Sequence, residues 1–422
     1  MKPTVLIATT ERWVPTARLA VAFSNAGFVV EVLCPSSHPV STTGAARRIH
    51  GYNGLRPEAS LAAAIAAARP DLIVPSDDLA TGHLHQLHWS TLGRGDTEEK
   101  IRRLIERSIG APESFPIVLA RTPFINLALE QGVCAPKTEV ITSSDDLKRC
   151  AKRIGFPLVL KADRTSGGDG VRIVNTMHEA ESALRVLATP PLLTRAVKRA
   201  ILDQDTTLLS PSILRRRSVV NAQEFVPGIE ATSTLACWNG TILACLNFEV
   251  IRKTLYTGHA TVLRMVENES MSIAAERVVR RLNLSGVHGL DFMLDARTGK
   301  AYLIEINPRS TQVGHLTLGP GRDLPAALFS AVSGEKVKPA PKMTENNIIT
   351  LFPQEWMRDA ASPYLQSGYH DVPWHLPDLV SACVSSRPKQ SKWYSTRIES
   401  KPSFDPTSGC KQARCQSTGV IQ

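Results

Sequence analysis

The chain has 422 residues, 43% hydrophobic and 21% charged, with a formal net charge of +10; that length predicts two or three domains of a soluble globular protein. Much of the basic excess is local, seven Lys/Arg against two acids over 385–422 and six against two over 195–217, without regularly interleaved aromatics, so nucleic-acid binding is disfavoured. No apolar run reaches 18 residues and the N-terminal run is too short for a signal peptide, which predicts neither membrane spanning nor export.

The first segment alternates strand and helix signals: strand Val5–Ala8, helix Thr16–Ala26 stopped by Gly27, strand Phe28–Leu33, helix Ser60–Ala68 and strand Asp71–Val74. This rhythm predicts an α/β domain over 1–115 with a parallel open sheet, whose ligands gather at the carboxyl ends of its strands. Thr9, Thr10 and Ser76-Asp77-Asp78 fall at that mouth; for the two acids, capping the next helix is an equal alternative. Asp96-Thr-Glu-Glu99 reads as a capping box, and Thr122-Pro123 opens a helix that Gly132 closes. Another helix runs from Ser143–Asp146 to Gly155, and strand Phe156–Ala162 then leads into a glycine loop. Helix Met177–Leu187, a basic helical insert (192–217 within 188–217) and strand Val219–Val226 follow. A hairpin-rich region (232–266), helix Ser272–Leu282, a β-hairpin over 289–307 and helix Pro325–Val332 complete the patterned part.

These elements divide into an α/β domain (1–115), two α+β subdomains (116–226 and 227–340), an extension (341–384) and a tail (385–422). Phe352–Trp374 clusters aromatics and prolines and is expected to pack on the core, whereas the polar Ser/Lys-rich tail is expected to be disordered. Eight scattered cysteines without C-x-x-C spacing predict reduced thiols in a cytoplasm; only Cys410 and Cys415 are close enough to suggest a pair.

The hairpin carries the most chemistry. If Asp295 pairs with Ala301, Asp291 lies opposite Glu305, with Asn307 a diagonal step away. Glu305, Asn307 and Arg309 then share a face, and Ile304 and Ile306 point into a core. Facing carboxylates repel across a ladder, and a hard dication removes that penalty. Oxygen-only ligands favour Mg²⁺, with Mn²⁺ as its substitute, over zinc. An edge hairpin whose charges face water is the plain alternative. Ser166, Gly167, Gly168, Asp169 and Gly170 follow a strand, and small residues there let backbone amides approach phosphate; a glycine-rich hairpin would look the same. Lys161, inside an apolar strand, needs a partner: a phosphate, a purine nitrogen or an ordinary salt bridge. Glu224 and Glu230 flank a Pro-Gly bend, where they face a nucleotide or simply solvent.

Together Lys161, the 166–170 loop, Gln223–Glu230, Asp291 and Glu305-x-Asn307-Pro-Arg309 resemble the ATP-grasp superfamily in order and spacing, over roughly residues 1–340. The resemblance implies an N-terminal pre-ATP-grasp α/β domain followed by two subdomains, a lid and a catalytic body, with ATP between them. It implies Lys161 and Arg121 on the phosphates or base, and the 166–170 loop over the β/γ-phosphates. Glu224, Phe225 and Val226 would line the adenine, and Glu230 would hold the ribose. Asp291, Glu305 and Asn307 would bind Mg²⁺, and Arg309 would act as the catalytic residue that steadies the transferring phosphoryl or acyl phosphate. The implied reaction is ADP-forming ligation of a small carboxylate to an amine or thiol, with no membrane partner and oligomeric state left open. Carboxylation or phosphorylation of a small acid, or a silent ATP-binding module, are the alternatives. The segment Gln312-Val-Gly314-His315 is similar to the Q-V-E-H of biotin carboxylases, but Gly314 replaces the glutamate base, which disfavours carboxylase activity.

Three further features carry less. His83-x-His85-x-x-His88 cannot share one helical face and is not expected to hold a metal. His259 and Arg264 are either substrate contacts or loop residues without a task. Arg215-Arg-Arg217 reads as a solvated run.

Overall fold

The computed structural model describes residues 2–93, 95–163, 170–190, 193–194, 197, 212–213, 215, 218–254, 258–337 and 340–385. The insert 192–217 thus falls largely outside the described residues, and Cys410, Cys415 and the tail from 386 fall wholly outside.

Four parallel strands form the first sheet: β1 (Thr4–Ala8), β2 (Val29–Cys34), β3 (Arg48–Gly51) and β4 (Leu72–Pro75), in the order β3-β2-β1-β4. An uninterrupted apolar run such as Val5–Ala8 suits a strand buried on both faces. Val5 and Ile7 pack with Ala17 and Phe23 of the helix Val14–Asn25, and Leu6 and Ala8 pack with Leu61, Ile65 and Leu84 on the opposite side. The expected capping box at Asp96 is not made. Gly95 is the N-cap of the helix Asp96–Ile109 and no side chain caps it; Glu99 instead meets Arg102 and Arg103 along the helix.

The second sheet is antiparallel: β5 (Thr138–Ile141), β6 (Leu158–Ala162), β7 (Val171–Val174) and β8 (Val220–Glu224), in the order β5-β8-β6-β7. The helices Ser144–Ile154 and Met177–Ala188 cover one face, each with a serine or threonine N-cap. Alternation along β6 sends Leu158, Leu160 and Ala162 into that core and leaves Val159 and Lys161 on the other face.

Seven strands form the third sheet, in the order β13-β12-β9-β10-β11-β14-β15. They are β9 (Gly228–Trp238), β10 (Thr241–Lys253), β11 (Ala260–Met265), β12 (Gly286–Asp295), β13 (Ala301–Asn307), β14 (Ile348–Leu351) and β15 (Tyr369–Asp371). The helix Glu269–Arg281 packs Met271, Ala275 and Val278 against Leu290, Phe292 and Leu303 on one face. The other face shares a core with the first sheet, in which Phe248 and Val287 meet Phe23, Val32 and Phe329. Residues 341–384 belong to this assembly. β14 and β15 extend the sheet, and Phe352, Val372, Leu379 and Cys383 lie in the same core as Val5.

Candidate functional site

Asp291 pairs with Glu305 across β12 and β13, and Gly289 with Asn307. At the closed end of the hairpin, however, Leu294 rather than Asp295 pairs with Ala301, because the register shifts at Ile304 between the Phe292–Leu303 and Asp291–Glu305 pairs. An extra residue in one strand flips the alternation beyond it. Leu303 and Ile306 therefore enter the core while Ile304, expected there, joins Glu305 on the cleft wall. Asn307 Nδ2 donates to Asp291 Oδ2 at 2.9 Å. Burial, reinforced by Glu305, pushes the Asp291 carboxyl up to about 6, against hydrogen bonds from Asn307 and Thr232.

Gly228 seats the neighbouring strand. A Cβ there would stand 1.9 Å from Leu294 O, so only glycine lets β9 begin its pairing against β12 at Asp295. That register places Thr232 beside Asp291 and Glu230 opposite Met293. Glu230 accepts from Lys253 Nζ at 2.5 Å.

One cation, Lys161, comes from the second sheet and another, Arg121, from a helix. Lys161 is 5% exposed, and burial lowers its pKa, with Glu305 opposing and Arg121 adding to the shift. Arg121 opens the helix Arg121–Glu130 and bridges the sheets: Nη2 donates to Glu305 Oε1 at 2.8 Å and Nη1 to Ala162 O at 2.7 Å. Its Nη1 also lies 3.3 Å from Asp163 Oδ1. Asn221 completes this corner, donating to Asp163 Oδ1 at 2.8 Å and accepting from Thr122 Oγ1 at 2.7 Å.

Lys161, Arg121, Asp291, Glu305 and Thr232 line one cleft of about 750 Å³, together with Glu224, Phe225, Val226, Glu230, Asn307 and Arg309. Glu224 is only partly turned to it, since its Oε2 accepts from Lys137 N at 3.3 Å. Arg309 meets Asp78 Oδ1 at 3.3 Å through Nε and Asn307 Oδ1 at 3.2 Å through Nη2. Asp77 caps the helix Asp78–Ser90 through Ala80 N, whereas Asp78 faces the cleft; the two readings of that acidic pair divide between the two residues. Gly170 is described and buried; Ser166, Gly167, Gly168 and Asp169 lie outside the described residues. His259 lines the cleft beside Trp13, while Arg264 pairs with Glu249.

The histidines of the helix Asp78–Ser90 scatter as helical spacing dictates. His83 bonds Tyr52, His85 stacks on Phe115 at 4.0 Å and His88 meets Glu106 at 2.7 Å. Asp163, Asn221, Thr232 and Trp13 escaped the sequence reading, whereas Asp78 was a candidate at the strand mouth and Gln312 was noted only within the Gln312-Val-Gly314-His315 segment. Asn221 alone left a trace, a polar residue between buried Val220 and Ala222.

An ATP-grasp domain family model matches residues 128–313. The arginine-specific carbamoyl phosphate synthase large chain of Geobacillus stearothermophilus is 26% identical over 251 residues, 57% of this chain and 21% of that one. Acetyl-CoA carboxylase of Dictyostelium discoideum is 27% identical over 46% of this chain and 8% of its own length. The chain thus spans about a fifth or less of these relatives. Among solved structures, the Aspergillus clavatus N5-carboxyaminoimidazole synthase in complex with ADP and its ribonucleotide is similar, with TM-score 0.58 and 13% identity over 80% of this chain and 78% of that one. The biotin carboxylase of Campylobacter jejuni gives TM-score 0.56 and 14% identity, over 80% and 72%. Among the described residues no helix is long and apolar enough to cross a membrane.

Proposed function

We propose that this chain, a member of the ATP-grasp superfamily, is an ATP- and Mg²⁺-dependent ligase that joins a small carboxylate to an amine or thiol and releases ADP and phosphate. The observation that carries this reading is the convergence of Asp291, Glu305 and Asn307 with Lys161, Arg121 and Arg309 in one cleft. The acid pair fits a hard dication: its donors are oxygens alone, and Asp291 is driven towards protonation by burial and by Glu305. Mn²⁺ would satisfy the same donors. The metal would supply charge neutralisation at the phosphate oxygens.

The remaining roles belong to the chain. Lys161 and Arg121 bring positive charge to the polyphosphate. Glu224, Phe225 and Val226 bound the adenine, with Glu230 on the ribose. Arg309, fixed between Asn307 and Asp78, balances charge on the phosphoryl group as it passes to the carboxylate oxygen, and again as the nucleophile displaces phosphate from the acyl carbon. Excluding water protects that activated acyl group.

Several relatives are carboxylating enzymes by name. Carboxylation is the weaker reading here, because Gly314 offers no base and a Cβ on it would lie 2.7 Å from Ser310 Oγ. Six free thiols among the described residues support a cytoplasmic setting. A screen of small carboxylates with MgATP and hydroxylamine tests the proposal. One carboxylate class should give ADP and hydroxamate in step; nucleotide binding with no ADP from any acceptor would instead indicate a silent module.

A further inference from the structure

We infer that Asp163 and Asn221 are positioning residues for the proposed reaction: they hold Arg121 against the second sheet, so that Glu305 is left to the metal and Arg121 to the polyphosphate. The metal and the polyphosphate rest on the ligase reading; the holding of Arg121 rests on the geometry.

Arg121 and Thr122 open the helix Arg121–Glu130, whose Phe124, Ile125 and Leu127 pack with Leu290, Phe292 and Leu303 of the third sheet. Both side chains nonetheless reach the second sheet. Arg121 Nη1 donates to Ala162 O at 2.7 Å and lies 3.3 Å from Asp163 Oδ1. Thr122 Oγ1 donates to Asn221 Oδ1 at 2.7 Å, and Asn221 Nδ2 in turn donates to Asp163 Oδ1 at 2.8 Å. The contacts run in a ring, from Arg121 to Asp163, Asn221 and Thr122, and close on Arg121 through the backbone.

Asn221 is the unexpected member of that ring. It lies opposite Lys161 across β6 and β8, while Val220 and Ala222 enter the core on the other face. It is 1% exposed, and an amide at that depth costs free energy unless its two ends are bonded. An aliphatic side chain would suit burial in this strand better. What the amide adds is direction. Its Oδ1 is engaged by Thr122, which turns Nδ2 towards Asp163 and, at 3.5 Å, the Lys161 carbonyl.

Charge gives this direction its consequence. Arg121 stands between two acids, with Asp163 beside Nη1 and Glu305 Oε1 2.8 Å from Nη2. Burial pushes the Asp163 carboxyl up, and Arg121 and then Asn221 work against that shift. Of the two acids, a neutral Asp163 would leave the guanidinium only Glu305, the carboxylate the metal needs. An ionised Asp163, aimed by Asn221, keeps Arg121 charge-balanced while Glu305 serves the metal. Nη2 is then available to a phosphate oxygen.

Mn²⁺ binding to the full chain without nucleotide, followed by water-proton relaxation, tests this in a double-mutant cycle. Asp163→Asn should weaken binding about tenfold, and Asn221→Leu, which removes no charge, should weaken it in the same direction. Asp163→Asn carries the test alone if Asn221→Leu fails to melt cooperatively. Arg121→Ala should strengthen binding, since it removes a competitor for Glu305, and in that background neither substitution should have a further effect. A merely structural role, or the Asp163 charge acting through space, would leave the losses in place without Arg121. Losses that persist there overturn the inference, as does unchanged binding in the Asp163→Asn chain. The expected cycle without ADP release from any carboxylate would support the pair and retire the ligase reading. ADP release with Mn²⁺ binding indifferent to both substitutions would do the reverse. An unaltered chain that binds no Mn²⁺ in this assay would overturn the inference, and the ligase reading would fall with it only if ATP did not restore binding.

Discussion

A cation bound as proposed would compete with a proton for the oxygens of Asp291. Its carboxyl is raised from 3.8 to about 6 by burial and then by Glu305. For an acid raised on folding, the stabilising contribution is complete below about 3.8 and is lost as pH rises through about 6, a penalty of roughly 3 kcal/mol in the metal-free protein. On the proposed reading Mg²⁺ would bind the ionised form, so it should raise the thermal midpoint more at about pH 8 than at about pH 5. Asp291→Asn should abolish that difference, and equal Mg²⁺ stabilisation at both pH values would argue against Asp291 as a ligand. The opposition of Asp291 and Glu305 was legible because strand alternation and hairpin length nearly determine a register. The bulge at Ile304 was not, since nothing in Tyr302-Leu-Ile-Glu305 marks which residue is extra. The orientation of Arg121 was also hidden, because its partners Glu305 and Asp163 are brought to it only by the folding of two sheets.

Among elements, β15 has a weight out of proportion to its three residues. Buried Asp371 accepts from Arg18 Nη2 at 2.6 Å and from His315 Nε2 at 2.9 Å. It thereby joins the first helix, the loop after the β12–β13 hairpin and the strand β15. Burial raises the Asp371 pKa, but His315 and Arg18 outweigh it and hold the carboxyl below 3.8. A depressed carboxylate contributes stability above its unfolded pKa and loses it as pH falls through the folded one. Asp371→Asn should therefore cost about 3–5 kcal/mol near neutrality, by denaturant titration, with the deficit shrinking in acid below about pH 4. A neutral effect would mean the triad is incidental. Gly228→Ala should be at least as damaging as a core cavity, roughly 3 kcal/mol or more, because its Cβ meets backbone rather than a side chain that can yield. Urea unfolding of that variant checks this; unaltered stability would show that β9 pairs otherwise. The helix opened at Ser143 was readable from its cap, whereas Thr176, Asn268 and Asp323 cap helices that were expected from their patterning alone. β14 and β15 were not, because four- and three-residue strands leave little periodicity and gain their stability from distant partners such as Val262 and Arg18.

At the scale of the molecule, the sheet that carries the acid pair is finished by the C-terminal segment. Ile349, Leu351, Phe352, Val372 and Leu379 are buried with Val5, Phe23 and Phe248. Ending the chain near residue 345 should therefore leave it unable to fold cooperatively, whereas a chain ending at Ser385 should keep a sharp melting transition. Loss of that transition in both truncations would contradict this account. The α/β rhythm and the motif order announced the fold class, while the union of the first and third sheets through one core was beyond periodicity. The most direct test of the central claim is a Mn²⁺ titration followed by electron paramagnetic resonance in the presence of ATP. The unaltered chain should capture the ion in a ternary complex, and the Asp291→Asn, Glu305→Gln variant should weaken that capture by about a hundredfold while melting near the same temperature. Equal Mn²⁺ capture by a folded double variant would place the metal elsewhere and remove the basis of the proposed chemistry.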